Sequence, residues 1–147
     1  MTTAAQRRQR ILAELHPLLA AMVGALLDDL GGRFMPICGY RDEAAQADAL
    51  ARHASNAAWG QSPHNFKPAL ACDLVLNPEV VAVTQREGFP DLWDEKSPGA
   101  VEAWNDLEVM AAKHGLERVC ITDRITGKPR RDKPHVQLPG WRTYIPH

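Results

Sequence analysis

The stretch Ser62–Leu76, SPHNFKPALACDLVL, decides how this chain is read. Its second half alternates like a strand. Leu70, Cys72, Leu74 and Leu76 share one face, and Ala71, Asp73 and Val75 share the other. The first face belongs in a core. The second sets one carboxylate, Asp73, among small apolar neighbours. Two readings are open. Either that face is solvated and Asp73 points to water, or it is closed and Asp73 has a cation or several hydrogen bonds, because a bare buried carboxylate is very costly.

Elements on either side of this strand follow from spacing and punctuation. Residues 4–15 show helical periodicity, with Ile11, Leu12 and Leu15 on one side. Pro17 suits the first turn of a second helix that runs to about Leu30 and stops at Gly31–Gly32. RFMPICGY (33–40) reads as a strand in which Pro36 marks an edge or irregularity. Asp42 is placed to cap a helix over EAAQADALARHA (43–54). Residues 55–68 read as loop and 69–76 as the clearest strand; residues 77–99 are mixed. Ser97 and Pro98 open a long helix that Gly115 closes. LERVCIT (116–122) is a further strand, DRITGKPRRDK (123–133) a turn-rich basic loop, and PHVQL (134–138) a last short strand. The pattern predicts one α+β domain over residues 1–147: N-terminal helices within 1–30, packed on a core at 33–139, and a small antiparallel sheet flanked by helices.

Composition narrows the class. A chain of 147 residues, 45% hydrophobic and 24% charged, suits a soluble domain with its own core. A net charge of -1 leaves no basic footprint for nucleic acid. Cys38, Cys72 and Cys120 are odd in number and form no CxxC, which argues against a disulfide framework or a thiolate zinc knuckle. Each sits in a short apolar run and is expected to be a buried, reduced thiol. Arginines precede the apolar stretch Pro17–Leu27, as in a signal peptide. Glu14 and His16 interrupt that pattern, Asp28 and Asp29 follow it, and the stretch falls short of the roughly 20 residues needed to span a bilayer. Two core helices are therefore expected rather than an export signal, with no stable membrane insertion; a weak amphipathic, membrane-disrupting role is the alternative.

Two histidines could complete the environment of Asp73. With His64 and His135 it forms a protein set sufficient for a catalytic zinc, with a fourth position left for water. Asp132 precedes His135 by three, and Pro134 disfavours a helix between them. His135 and Gln137 then share a strand face and Asp132 projects from the turn before it, where a general base is needed. The alternative is a turn-forming Asp132 satisfied by Arg130, Arg131 and Lys133. Arg41 ends the first strand and can point into a cleft to hold a carboxylate or a developing oxyanion; otherwise it is a surface cation. Gln46, one turn into the next helix, would by default be solvated. His16, His53, His114 and His147 read as helix-end, surface or tail residues, so no fourth protein ligand is expected.

In combination, GYRDEAAQ (39–46), SPHNFKPALACD (62–73), a helix ending AAKHGLE (111–117) and DKPHVQL (132–138) resemble the zinc D-alanyl-D-alanine carboxypeptidase family. That family includes D-Ala-D-Ala dipeptidases and phage L-alanyl-D-glutamate endolysins, and the small endolysin branch looks most similar. The resemblance implies the family's α+β, hedgehog-like fold. It implies one zinc ion on His64, Asp73 and His135, with Asp132 as acid/base and Arg41 polarising the scissile carbonyl. It places Ser62 near the metal as a substrate contact or a support for the ligands, and Gln46 and Gln137 are expected in the same role. The implied protein is a monomeric zinc peptidase acting on peptidoglycan stem peptides at an L-Ala–D-Glu or D-Ala bond. It would be made in the cytoplasm without a signal peptide and reach the wall after release, as an endolysin, or on a virion. The alternative is a virion-associated or non-catalytic metal-binding protein on the same fold, which would have four protein ligands and no need of Asp132 or Arg41.

Two departures from the family pattern stand out. Relatives carry His-x-x-Gly-x-Ala-x-Asp; here two more residues separate His64 from Asp73, and Lys67–Pro68 replace the Gly turn. An insertion of two keeps strand parity, so Asp73 is expected to face as usual beside an altered cleft rim. The Trp-Gly-Gly stretch of many relatives is replaced by RVCITDRITGKPRR.

Overall fold

The structure, a computed structural model, describes residues 3–52, 54–123 and 125–146. Strand β2 (Ala71–Leu76) is the middle of a three-stranded antiparallel sheet, with β1 (Phe34–Cys38) on one side and β7 (His135–Gln137) on the other. Pro36 lies in edge strand β1, just before a register shift between Pro36 and Cys38. The sheet forms because β2 has an apolar residue at almost every position, as a strand buried on both sides must.

Four α-helices accompany the sheet: α1 (Ala4–Leu12), α2 (Pro17–Asp29), α3 (Glu43–Ala51) and α4 (Pro98–Lys113). Their ends follow local chemistry. Thr3 caps α1 through a capping box with Gln6, Pro17 opens α2, and the Asp42 carboxylate accepts from the Ala45 N–H to start α3. Leu19, Val23, Leu26 and Leu27 of α2 and Ala103, Trp104 and Leu107 of α4 bury against Cys72, Leu74, Leu76 and Val136 of the sheet. Each fully buried leucine here stabilises the fold by about 1.5–3 kcal/mol. The result is the α+β arrangement read from the sequence, with two two-stranded hairpins added: β3 (Gln85–Arg86) with β4 (Phe89–Pro90), and β5 (Cys120–Thr122) with β6 (Pro129–Arg131).

The structure decides one open reading and corrects several local expectations. The second face of β2 is closed, since Ala71 and Val75 are fully buried. LERVCIT supplies only the three residues of β5, and its partner β6 lies inside the segment read as a basic loop. A Thr-Gly turn with a left-handed Gly127 reverses the chain there, and proline at the start of β6 tolerates an unpaired edge. Ser97 precedes α4 but makes no side-chain cap bond. Its hydroxyl donates to Asp94, whose carboxylate also accepts from the N–H groups of Lys96, Ser97 and Thr84. Of the three thiols only Cys72 is buried; Cys38 is half-buried, and Cys120 is exposed at the start of β5, whose residues are exposed or half-buried. Among the described residues no helix is long and apolar enough to cross a membrane.

Candidate metal and active site

Strand register delivers two of the site residues. Asp73 lies directly opposite His135 across β2–β7, so both side chains project from the same face. The third comes from a loop that is tied at several points. A short 3-10 turn, Pro63–Asn65, carries His64, and the Ser62 hydroxyl accepts from the His64 N–H at 3.2 Å. Asn65 closes the same turn: its side-chain oxygen Oδ1 accepts from Ser62 N–H (3.1 Å) and Gly60 N–H (3.0 Å). The Arg41 N–H donates to the His64 carbonyl at 2.8 Å and ties the turn to the end of β1. Ser62 is thus a support for His64. Lys67 and Pro68, which replace the Gly turn, fall between this turn and β2, where Lys67 Nζ lies 4.6 Å from the centre of the Tyr40 ring.

His64 Nε2, Asp73 Oδ1 and His135 Nδ1 meet in a nearly equilateral triangle with sides of 3.2, 3.3 and 3.3 Å. Tetrahedral bonds of about 2.0–2.1 Å require donor atoms about 3.3–3.4 Å apart, so these residues fit a metal ion. The other ring nitrogen of each histidine is already occupied. His64 Nδ1 donates to the Gly39 carbonyl at 2.7 Å. His135 Nε2 lies 2.7 Å from Gln137 Oε1, and the Gln137 amide nitrogen donates to the Glu117 carboxylate. A carboxylate only accepts, which fixes the Gln137 amide and makes His135 Nε2 the protonated nitrogen. Both lone pairs that a metal would need therefore face the triangle. Gln137 supports His135 from Nε2 and also lines the cleft.

Cys38 also comes within 4.8 Å of His64 and Asp73 and could join a metal-binding group. Its sulfur is 4.0 Å from His64 Nδ1, the nitrogen already bonded to Gly39. The triangle containing His135 is the tighter set and uses the free nitrogen.

Arg41 and Gln46 turn out to be linked. The Arg41 guanidinium donates to Asp73 Oδ2 at 3.3 Å, the oxygen turned away from the histidines, and to Gln46 Oε1 at 3.0 Å. Gln46 is fully buried. Its amide donates to Ser55 Oγ and the Ala57 carbonyl, and its oxygen accepts from Arg41 and Asn65. All its polar capacity is spent on the protein, so it holds Arg41 and contacts no substrate. Arg41 keeps further N–H donors and lines the cleft.

Asp132 is half-buried beside this group, and its carboxylate makes no hydrogen bond or ion pair among the described residues. Burial and the charge of Asp73 raise its pKa above the usual 3.8, against the opposing pull of His135, His64 and Arg130. Asp73 behaves oppositely: burial would raise it, but His64 and His135 hold it well below 3.8. Burial pulls the His64 imidazole down, yet the charge and hydrogen bond of Asp73, with Cys38, lift it to about 10. The buried Asp73 carboxylate favours the protonated His64 imidazole on one side and holds the Arg41 guanidinium on the other. These groups line a cleft of about 1280 Å³ that also includes Trp93, Trp141, Arg52, Arg130, Lys133 and Arg142.

His16 caps α2, and His114 ends α4 and contacts Asp29, both away from the triangle. His53 and His147 lie outside the described residues. Sequence reading missed Cys38, Asn65 and the Gly39 carbonyl. Only Asn65 carried a signal, as the third residue of a capping box that begins at Ser62.

The fold is similar to that of a solved protein, the Serratia marcescens L-Ala D-Glu endopeptidase ChiX. The TM-score is 0.60 at 20% identity, over 99% of this chain and 95% of that one. At this identity the likeness establishes the fold. No family model and no curated protein matches the chain.

Proposed function

We propose that the protein is a zinc-dependent peptidase that cuts peptidoglycan stem peptides at an L-Ala–D-Glu or D-Ala bond. The observation that carries this reading is the three-donor triangle with a raised-pKa carboxylate beside it that has no partner among the described residues. Three donors leave room for water, and a structural zinc site would be closed by a fourth protein ligand. Two imidazoles and one carboxylate favour zinc. The resemblance of the motifs and the endopeptidase fold support the substrate class. So does Arg142, which lines the cleft without an ion pair among the described residues and suits a substrate carboxylate.

Zinc, when bound, supplies a Lewis acid that makes water nucleophilic near neutral pH and polarises a carbonyl. Asp132 accepts the proton of the attacking water at its carboxylate and returns it to the leaving amine. Arg41 steadies Asp73 through one N–H and offers others to the developing oxyanion. An endolysin released from the cytoplasm, or an enzyme carried on a virion, would bring this site to the wall.

The test is hydrolysis of purified peptidoglycan with and without a chelator, with products identified by mass. Chelator-sensitive release of new amino termini is expected. No cleavage by a protein that holds one zinc per chain would defeat the peptidase reading and favour a non-catalytic metal protein.

A further inference from the structure

Each imidazole of the triangle rests on an amide group, and each amide group rests on a glutamate. On one side, the peptide unit joining Gly39 to Tyr40 does both jobs. Its carbonyl accepts from His64 Nδ1 at 2.7 Å, and its N–H donates to Glu14 Oε1 at 3.1 Å. On the other side the side-chain amide of Gln137 accepts from His135 Nε2 at 2.7 Å and donates to Glu117. Both imidazole–amide bonds are shorter than the usual 2.9–3.0 Å or so of an N–H···O bond. An anion bound to the N–H end of an amide increases the negative charge on its oxygen. That oxygen then draws harder on the imidazole N–H and makes the opposite nitrogen a better donor to a metal.

Both glutamates are held in place by their backbones. Glu14 lies in the turn between α1 and α2, where its carbonyl accepts from Ala69 N–H (2.8 Å) and the His16 N–H donates back to the Ala69 carbonyl (2.9 Å). The turn is strapped to the chain entering β2. A side chain at Gly39 would obstruct this approach, because a Cβ there would sit 3.0 Å from Leu15 Cδ2 and 3.1 Å from Glu14 Oε1. Glu117 forms an antiparallel bridge with Gln137, with N–H···O distances of 2.9 and 3.1 Å. Their side chains are therefore directly opposed.

We propose that Glu14 and Glu117 are positioning residues that act through these amides on His64 and His135 and set how tightly the site holds its metal ion. The inference rests on the metal-site reading above and extends it to the turn between the N-terminal helices. Neither glutamate contacts substrate or metal.

The experiment is zinc competition against a chromophoric chelator with the full chain, for Glu14→Gln, Glu117→Gln, the double variant and Glu102→Gln, an exposed glutamate of α4 as control. Both glutamates are exposed, so each single change is expected near the lower end of the usual 10–100-fold loss, roughly tenfold, and the double variant roughly a hundredfold. Glu102→Gln should match the parent. Melting of the metal-free variants should stay unchanged, and the imidazole 15N signals of His64 should shift in Glu14→Gln alone and those of His135 in Glu117→Gln alone. Parent-like zinc affinity in both single variants overturns the proposal while leaving the metal site standing. A fall in affinity matched by lower melting temperatures of the metal-free variants assigns the glutamates a general structural role and also overturns it. A parent protein that binds no zinc sinks the metal-site reading, and this inference with it.

Discussion

Replacing Asp132 with Asn should separate activity from stability in sign. The carboxylate is half-buried and makes no hydrogen bond or ion pair among the described residues, so an isosteric amide opens no cavity and breaks no contact. Burial and Asp73 raise its pKa, so the ionised form is disfavoured by folding. In the metal-free protein that penalty is present above the raised folded value and disappears as pH falls below the unfolded value of 3.8. Asn removes it, so metal-free Asp132→Asn should melt at the parent temperature or higher at pH 7. The two proteins should converge under acid conditions. Activity should move the other way. Loss of a general base costs about 10²–10⁴ in rate, or about 3–5 kcal/mol in the barrier. The assays are peptidoglycan hydrolysis, zinc content and calorimetric melting on one preparation. Turnover within tenfold of the parent at full zinc content would refute the role. A melting temperature several degrees lower would instead show that the carboxylate has a structural partner.

Gln46→Leu keeps the buried volume but strands Ser55, the Ala57 carbonyl, Asn65 and one Arg41 donor; a loss of about 2–4 kcal/mol in urea unfolding is expected, and a change under 0.5 kcal/mol would show that these groups rehydrate. Gly39→Ala forces a methyl against Leu15 and Glu14, so a destabilisation of about 1–3 kcal/mol and weaker zinc binding should appear together in melting and chelator competition. The Ser97 hydroxyl and three backbone N–H groups hold Asp94 far below its usual 3.8, so its contribution is present above pH 3.8 and fades as pH falls below it. Asp94→Asn should therefore be destabilised at pH 7 and approach the parent near pH 2; a gap in urea midpoint that does not change with pH would contradict this.

Some of this architecture was legible in the linear sequence because its signals are local. Asp42 starts α3 and Pro17 starts α2 because caps and first-turn prolines act within four residues. Strand alternation gave β2 its core face, and parity put Asp73 on the other. The β5–β6 hairpin was not legible, since Arg130 and Arg131 carry no apolar alternation and pair only through backbone. Ser97 misled because the serine-proline pattern marks a helix start whether or not the hydroxyl does the capping; here the hydroxyl donates instead to Asp94, three residues earlier.

By itself the sequence determined the α+β class, the starts of the main helices and the presence of one carboxylate in an apolar strand. Those rest on periodicity and on contacts between near neighbours; α1 and α3 end at Leu12 and Ala51, short of the 15 and 54 expected. Tertiary structure alone decided what Asp73 pairs with: His64 and His135 on one oxygen, Arg41 on the other. It also decided that Gln46 is buried and that a peptide group between Gly39 and Tyr40 joins Glu14 to His64. The physical reason is that backbone amides are the same in every residue. Which of them meets a side chain many positions away is set by strand register and by close approach at a glycine, and neither leaves a local mark in the chain.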